Sequence, residues 1–223
     1  MYAHCYDENH SYMSFDAVEG SYNKRRRKGL YEKLFCRECE DVLKKYEDYG
    51  KYVLYDNLKP KVRKLKSHVT IDDYDYKLFK LFVLSLLWRS SVSTLSMFSS
   101  IRLGKYEEYL RRVLLDEVEI PVNDFPCVLY QVHINDRLSD GVFMEGFPGK
   151  AKVDGKTIYQ LIIDGLYVFI GVGICSIKSF KQGASVSPEN LRVGYDELHK
   201  IEEFSDLVER LKQQNKFSCY EKS

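Results

Sequence analysis

Apolar residues dominate one long stretch near the middle of the chain, and their spacing predicts a buried helix. From about residue 73 to residue 100, large apolar side chains fall on every side of a 3.6-residue period, so little of this helix is suited to contact with water. Asp72 or Asp73 is placed to cap its first turn. We therefore expect this segment to be the central helix of the core.

Three shorter stretches have the pattern of amphipathic helices. Residues 40–55 carry apolar side chains near a 3.6-residue spacing, with charged residues between them. Residues 105–115 follow Gly104 and combine an apolar stripe with a charged outer face. A similar pattern at about residues 196–215 predicts a C-terminal helix.

The pattern changes to that of β-strands after Pro126. The first predicted strand, 127–134, is rich in β-branched and aromatic residues, and further strands are predicted at 150–154, 156–163 and 166–174. Asp-Gly pairs at 154–155 and 164–165 are hairpin signals, so an antiparallel meander is expected. Gly171 and Gly173 indicate a bulge or a close backbone approach. Helices followed by strands and then a helix favour an α+β fold over an alternating α/β fold.

The net charge of the chain hides an uneven distribution. The 223 residues include 34 Lys and Arg against 33 Asp and Glu, a formal net charge of +1. The segment from Ser21 to Thr70 alone has 15 basic and 7 acidic residues, a surplus of +8, which leaves −7 for the rest. The length suits one main core with a small appended module. We therefore predict a basic module at residues 1–70 and an α+β body at residues 71–223.

Two runs of cations, at 24–28 and 59–66, lie at either end of the helix predicted near residue 40. Consecutive cations neutralise phosphates, and Tyr22 and Tyr31 flank the first run as possible stacking platforms for bases. The residues expected to contact a nucleic-acid backbone are Lys24, Arg25, Arg26, Arg27, Lys28, Lys61, Arg63 and Lys64. The alternative is that both runs are solvated loops.

Cys36 and Cys39 have the spacing with which one chain supplies two thiolates to a tetrahedral zinc ion. In zinc-knuckle and treble-clef modules the second cysteine opens a helix, which fits the helix predicted from Glu40. There is no second CxxC, so Cys5 and His10 are the candidates for further ligands. Plain buried thiols are an alternative. A redox pair is disfavoured, because the thioredoxin type follows a strand in a βαβ unit and this segment is basic and helical.

The run from Lys28 to Glu40, Lys-Gly-Leu-Tyr-Glu-Lys-Leu-Phe-Cys-Arg-Glu-Cys-Glu, resembles the second zinc-knuckle half of bacterial HNH-like, or ββα-metal, proteins. The stretch 78–91 resembles the helix that follows in a group of uncharacterised bacterial proteins with that layout. The likeness covers about residues 6–175 and implies that Cys36 and Cys39 bind a structural zinc. The first CxxC and the catalytic histidine of that family would lie upstream, so no catalytic residue is carried over. Mg²⁺ or Mn²⁺ would act only in a nuclease-active form.

These observations lead us to expect a nucleic-acid-associated protein of HNH-nuclease ancestry that lacks a complete catalytic centre. One alternative is a non-enzymatic interaction or regulatory protein, which would bind a protein partner while the CxxC is structural. Another is an active metal-dependent endonuclease whose native start lies upstream.

Because the start of the chain is polar and aromatic, we do not expect a secretory signal. Charged residues interrupt both long apolar runs, so neither is expected to span or bind a membrane. We therefore expect a cytoplasmic protein with its six cysteines reduced. The P-loop, GxSxG, HExxH and GxGxxG motifs are all absent from the sequence.

Overall fold

The structure of the chain is a computed structural model. The residues that it describes are 12–16, 24–26, 32–54, 68–134, 137–138, 142–145, 149–153, 155–163, 166–175 and 184–197. The combination of helices and sheets in these residues confirms the α+β class.

Three α-helices lie in the first half of the described chain: α1 (Arg37–Lys51), α2 (Tyr76–Val92) and α3 (Lys105–Leu115). Helix α2 is shorter than the predicted 73–100. The Asp75 carboxylate caps it by accepting from the Leu78 N–H at 2.9 Å, and Ser93 ends it in an extended conformation. A short 3₁₀ turn, Ser96–Phe98, follows. None of the described helices is long and apolar enough to cross a membrane.

The strands in chain order are β1 (Tyr12–Asp16), β2 (Lys24–Arg26), β3 (His68–Ile71), β4 (Cys127–Ile134), β5 (Arg137–Leu138), β6 (Val142–Glu145), β7 (Gly149–Val153), β8 (Lys156–Ile163), β9 (Leu166–Gly171), β10 (Ser185–Val186) and β11 (Leu191–Glu197). Strands β7, β8 and β9 form the predicted antiparallel meander, and β9 continues antiparallel to β4. A smaller sheet has the order β2-β1-β6.

Strand β11 makes the large sheet mixed, whereas a purely antiparallel arrangement was expected. It runs parallel to β4, with Val193 opposite Leu129, and antiparallel to β3, with Val193 also opposite Val69. Because one residue pairs on both sides, β11 lies between β3 and β4. The predicted helix at 196–215 was wrong at its start, since residues 196 and 197 belong to β11; residues 198–215 lie outside the described residues.

The helices and the large sheet share one hydrophobic core. Leu43 and Tyr46 of α1 are fully buried, and they belong to the same cluster as Phe79 of α2 and Leu129 of β4. Helix α2 is buried around most of its circumference, as a central helix must be. The predicted boundary near residue 70 falls within β3, so residues on both sides of it lie in one sheet.

The two glycines singled out in the sequence lie where the backbone approaches other groups closely. A Cβ atom on Gly171 would collide with Sγ of Cys175. Gly173 has a φ of +71°, and a Cβ there would lie 2.6 Å from the hydroxyl oxygen of Tyr106. The close approach predicted for this strand end is therefore confirmed.

Three tyrosines, two buried in the core and one packed against it, are expected to make the protein sensitive to alkali. Burial raises the pKa of Tyr46 to about 12 and raises the pKa values of Tyr74 and Tyr76 further. The Tyr46 and Tyr76 hydroxyls donate to the carbonyls of Leu114 (2.6 Å) and Ile120 (2.8 Å). An unfolded tyrosine loses its proton near pH 10, before these do, so the free energy of unfolding should fall as the pH rises from about 10 to 12.

This pH dependence can be measured by urea unfolding between pH 9 and pH 12. Each such tyrosine contributes a slope of about 1.4 kcal/mol per pH unit between its unfolded and folded pKa values. Tyr46→Phe should make the slope less steep by the contribution of this one tyrosine. Lysines also titrate in this pH range, but they do so in both proteins, so the difference between the two slopes reports on Tyr46. An unchanged slope in Tyr46→Phe would contradict the role assigned to this residue.

Candidate functional site

The CxxC pair opens helix α1. Cys36 is the N-cap residue with an extended backbone, and its carbonyl accepts the first helical hydrogen bond, from the Glu40 N–H at 3.0 Å. Cys39 lies in the first turn. Helix α1 thus begins at Arg37, three residues before the predicted start, because the CxxC itself forms the turn from which the helix grows.

The two thiols are in contact with each other. Their Sγ atoms lie 3.4 Å apart, and both cysteines are free; Cys36 is exposed and Cys39 is half-buried. The hydrogen bond with Cys36, followed by partial burial, raises the pKa of Cys39, while the charge of Arg111 opposes this rise. A hydrogen bond from the Cys36 thiol lowers the pKa of the Glu38 carboxyl. The pair therefore forms one interacting unit at the surface.

The segment before the cysteines is anchored to the end of α2. The ring of Phe35 stacks on Trp88, with centroids 4.9 Å apart and an interplanar angle of 18°. The Glu32 carboxylate accepts hydrogen bonds from the Ser93 hydroxyl at 2.6 Å and from the Thr94 N–H at 2.7 Å. These contacts fix the position from which the CxxC departs.

A partly buried ion pair joins α1 to α2 behind this anchor. Arg89 pairs with Glu47 through its Nη1 atom, and both side chains are largely shielded from water. The Nε and Nη2 atoms of Arg89 and the Nε1 atom of Trp88 are buried without a hydrogen-bond partner. With only one of its buried donor atoms paired, Arg89 depends strongly on Glu47.

Helix α3 supplies charged groups near the thiols, because the charge of Arg111 acts on Cys39. Arg111 binds the Glu108 carboxylate through Nε at 2.7 Å and Nη2 at 2.9 Å, and Arg112 adds a third bond at 2.9 Å. These contacts lower the pKa of Glu108 to about 2. The thiols thus lie at a surface that carries both signs of charge.

The donor atoms fit half of a zinc site. Two thiolates that share a tetrahedral zinc lie about 3.8 Å apart, so the observed 3.4 Å requires only a small adjustment. Within the described ranges, no group of three or more His, Cys, Asp or Glu side chains could hold a metal ion. Cys5 and His10, the candidates for further ligands, lie outside the described residues.

The basic runs are described only in part. Strand β2 consists of Lys24, Arg25 and Arg26, and strand β1 separates it from β6. In the register of β1 and β2, these three residues lie opposite Ser14, Met13 and Tyr12, in that order. Arg27, Lys28, Lys61, Arg63 and Lys64 lie outside the described residues. The first run therefore begins in a strand, whereas one alternative from the sequence was a solvated loop.

Sequence reasoning identified the cysteines but missed the residues that position them. Glu32 and Phe35 contact residues about 50 to 60 positions later, and Arg111 lies about 70 positions after Cys39. No local spacing signals contacts of this range. The aromatic residue directly before Cys36 was the one visible hint of an anchor.

Comparisons of the chain with protein-family models, with curated proteins and with solved structures gave no match.

Proposed function

We propose that the chain is a nucleic-acid-associated protein that binds the phosphate backbone through its basic N-terminal third. The observation that carries this proposal is the concentration of charge: a surplus of +8 between Ser21 and Thr70 in a chain of net charge +1. Such a segment attracts a polyanion even though the whole chain is nearly neutral. Three consecutive cations of this segment form β2.

The order of elements around the CxxC supports an HNH-like, or ββα-metal, ancestry. The antiparallel pair β1 and β2 precedes α1, so two strands and a helix follow one another in the order that the ββα name describes. The thiols lie at the start of the helix, where a zinc knuckle requires them. Because the family's catalytic segment has no counterpart in this sequence, we assign no nuclease residue; Mg²⁺ or Mn²⁺ belongs only to a nuclease-active form.

Zinc is the second part of this proposal. Cys36 and Cys39 would supply two of four ligands, and Cys5 and His10 remain the candidates for the others. Bound zinc would tie the first residues of the chain to the start of α1. Its role would be structural, because a zinc ion with four protein ligands has no open position for a substrate.

Nucleic-acid binding should depend strongly on salt and on the residues of β2. We expect labelled duplex DNA or single-stranded RNA to bind the chain at about 50 mM salt and to bind at least tenfold more weakly at about 200 mM. The double variant Lys24→Gln/Arg26→Gln should reduce the slope of log K against log salt by about 2, one for each phosphate that is no longer neutralised. Fluorescence anisotropy measures both quantities.

The matched control removes two charges from another strand. Lys150 and Lys152 are exposed in β7, so Lys150→Gln/Lys152→Gln changes the net charge equally but should leave the slope unchanged. Equal losses in the two double variants would show that only total charge matters. Absence of salt-dependent binding by the unaltered chain would contradict the proposal and favour the alternative of a protein partner.

A further inference from the structure

We infer that Cys36 and Cys39 form a thiol–disulfide exchange site that reacts with low-molecular-weight disulfides. This inference goes beyond nucleic-acid association and does not depend on it. It concerns the chain when no metal is bound to the two thiols.

The distance between the sulfurs is the first observation. A disulfide bond is about 2.05 Å long, so the two Sγ atoms must approach by roughly 1.4 Å from their observed separation of 3.4 Å. Cys36 is the extended N-cap and Cys39 lies in the first turn of the same helix. Rotation of the two side chains at this turn brings the sulfurs together while α1 remains intact.

The difference in exposure assigns a role to each cysteine. Cys36 is exposed, so its sulfur is open to attack on a small disulfide in solution. Cys39 is half-buried and in contact with Cys36, so it is placed to attack a mixed disulfide that forms there.

The surroundings hold the pair in position. The stacking of Phe35 on Trp88 and the hydrogen bonds from Ser93 and Thr94 to Glu32 fix the chain just before Cys36. After Cys39 the chain is already helical and packed against α2. Little chain entropy is therefore lost when the sulfurs approach each other, which favours the intramolecular step.

The reaction conserves atoms and electrons in two steps. The Cys36 thiolate attacks one sulfur of the small disulfide RSSR, whose S–S bond breaks and releases one thiolate, leaving a mixed disulfide on Cys36. The Cys39 thiolate then attacks Cys36 Sγ and releases the second thiolate. The protein dithiol is oxidised by two electrons and RSSR is reduced to two RSH, which take up the two protons lost by the cysteines.

The test uses the full chain, freed of metal with a chelator and incubated with oxidised glutathione. Intact-mass and peptide mass spectrometry should find the loss of two hydrogens and a crosslink between Cys36 and Cys39. Cys39→Ser should stop at one glutathione on Cys36, and Cys36→Ser should slow the reaction of Cys39 at least tenfold. Cys175→Ala removes a thiol that is buried elsewhere and should leave the crosslink unchanged.

Two results would overturn the inference: no Cys36–Cys39 crosslink in a chain that circular dichroism shows to be folded, or equal reaction of Cys39 with and without Cys36. Salt-dependent nucleic-acid binding is measured on the same preparation. A chain that forms the crosslink but does not bind contradicts only the proposed function, and a chain that binds but does not form the crosslink contradicts only this inference.

Discussion

Replacement of Lys80 by alanine should lower the free energy of unfolding by about 3–5 kcal/mol. Lys80 lies in the second turn of α2 and is only 1% exposed. Its Nζ atom donates to the carbonyl of Phe125 at 2.7 Å. The alanine variant would leave both a cavity where the four-carbon stem now packs and a buried carbonyl without its donor, and each of these is costly.

The backbone conformation of Phe125 makes its hydrogen bond with Lys80 more important. Phe125 has a φ of +47°, a left-handed conformation that is unfavourable for a bulky residue. Its N–H donates to the carbonyl of Gly173 at 3.0 Å. Lys80 and Gly173 therefore hold this residue in place from both sides, just before β4 begins.

A second variant separates packing from hydrogen bonding. Lys80→Met keeps most of the volume and loses only the bond to Phe125, so its cost should be about 1–3 kcal/mol and smaller than that of Lys80→Ala. Lys77→Ala on the same helix should cost less than either variant, because Lys77 is only half-buried. Urea unfolding measures all three. A cost below about 1 kcal/mol for Lys80→Ala would contradict the structural role assigned to the amine.

Replacement of Gly50 by alanine should destabilise the protein by about 2 kcal/mol, although the same change in an ordinary helix is stabilising by about 1 kcal/mol. Gly50 lies near the end of α1 and is buried against α2. A Cβ atom there would come within 2.6 Å of three ring carbons of Phe82. The ring is buried and also packs against Phe79, so it has little room to move.

The double variant Gly50→Ala/Phe82→Leu tests the cause. If the clash is with the ring, the cost of Gly50→Ala should be at least about 1 kcal/mol smaller in the Phe82→Leu background than in the unaltered chain. Lys51→Ala changes the exposed neighbour and should lie within about 0.5 kcal/mol of the unaltered chain. A stabilising effect of Gly50→Ala would show that helix propensity outweighs packing at this position.

Local patterns predicted the elements whose structure depends on their own residues. Helix α3 starts and ends where the pattern after Gly104 predicted, and β4 and β8 match the predicted 127–134 and 156–163. The continuous apolar run of α2 predicted burial on all sides. Only its ends differed, because Asp75 and Ser93, rather than the apolar pattern, determine where the helix begins and ends.

Distant contacts decided the elements that were missed. Strand β11 contains Gly194, Asp196 and Glu197, a weak strand pattern, and its extended form depends on pairing with β3 and β4. Strand β2 consists of three consecutive cations, for which a solvated loop was one alternative from the sequence. In the structure these residues pair with β1. A single sequence does not reveal which remote segment will pair with such residues.

In the candidate site, too, local spacing predicted some features, and distant contacts determined the others. The spacing of Cys36 and Cys39 predicted that both sulfurs could reach one zinc ion; in the structure their Sγ atoms lie 3.4 Å apart. The redox alternative was disfavoured from the sequence because no βαβ unit surrounds the pair. The structure supports the redox alternative, because Cys36 is an exposed N-cap residue in contact with Cys39 at the start of α1, an arrangement that does not require a βαβ unit.

The position of β11 between two earlier strands has a consequence for synthesis on the ribosome. Residues 68–71 and 127–134 leave the ribosome well before residues 191–197, the segment that both must pair with. At about 5–20 residues per second, the roughly 56 residues between β4 and β11 take on the order of 3–11 s to translate. During that interval two strand edges are open to pairing with other nascent chains, so binding by a chaperone at this stage would protect the protein most.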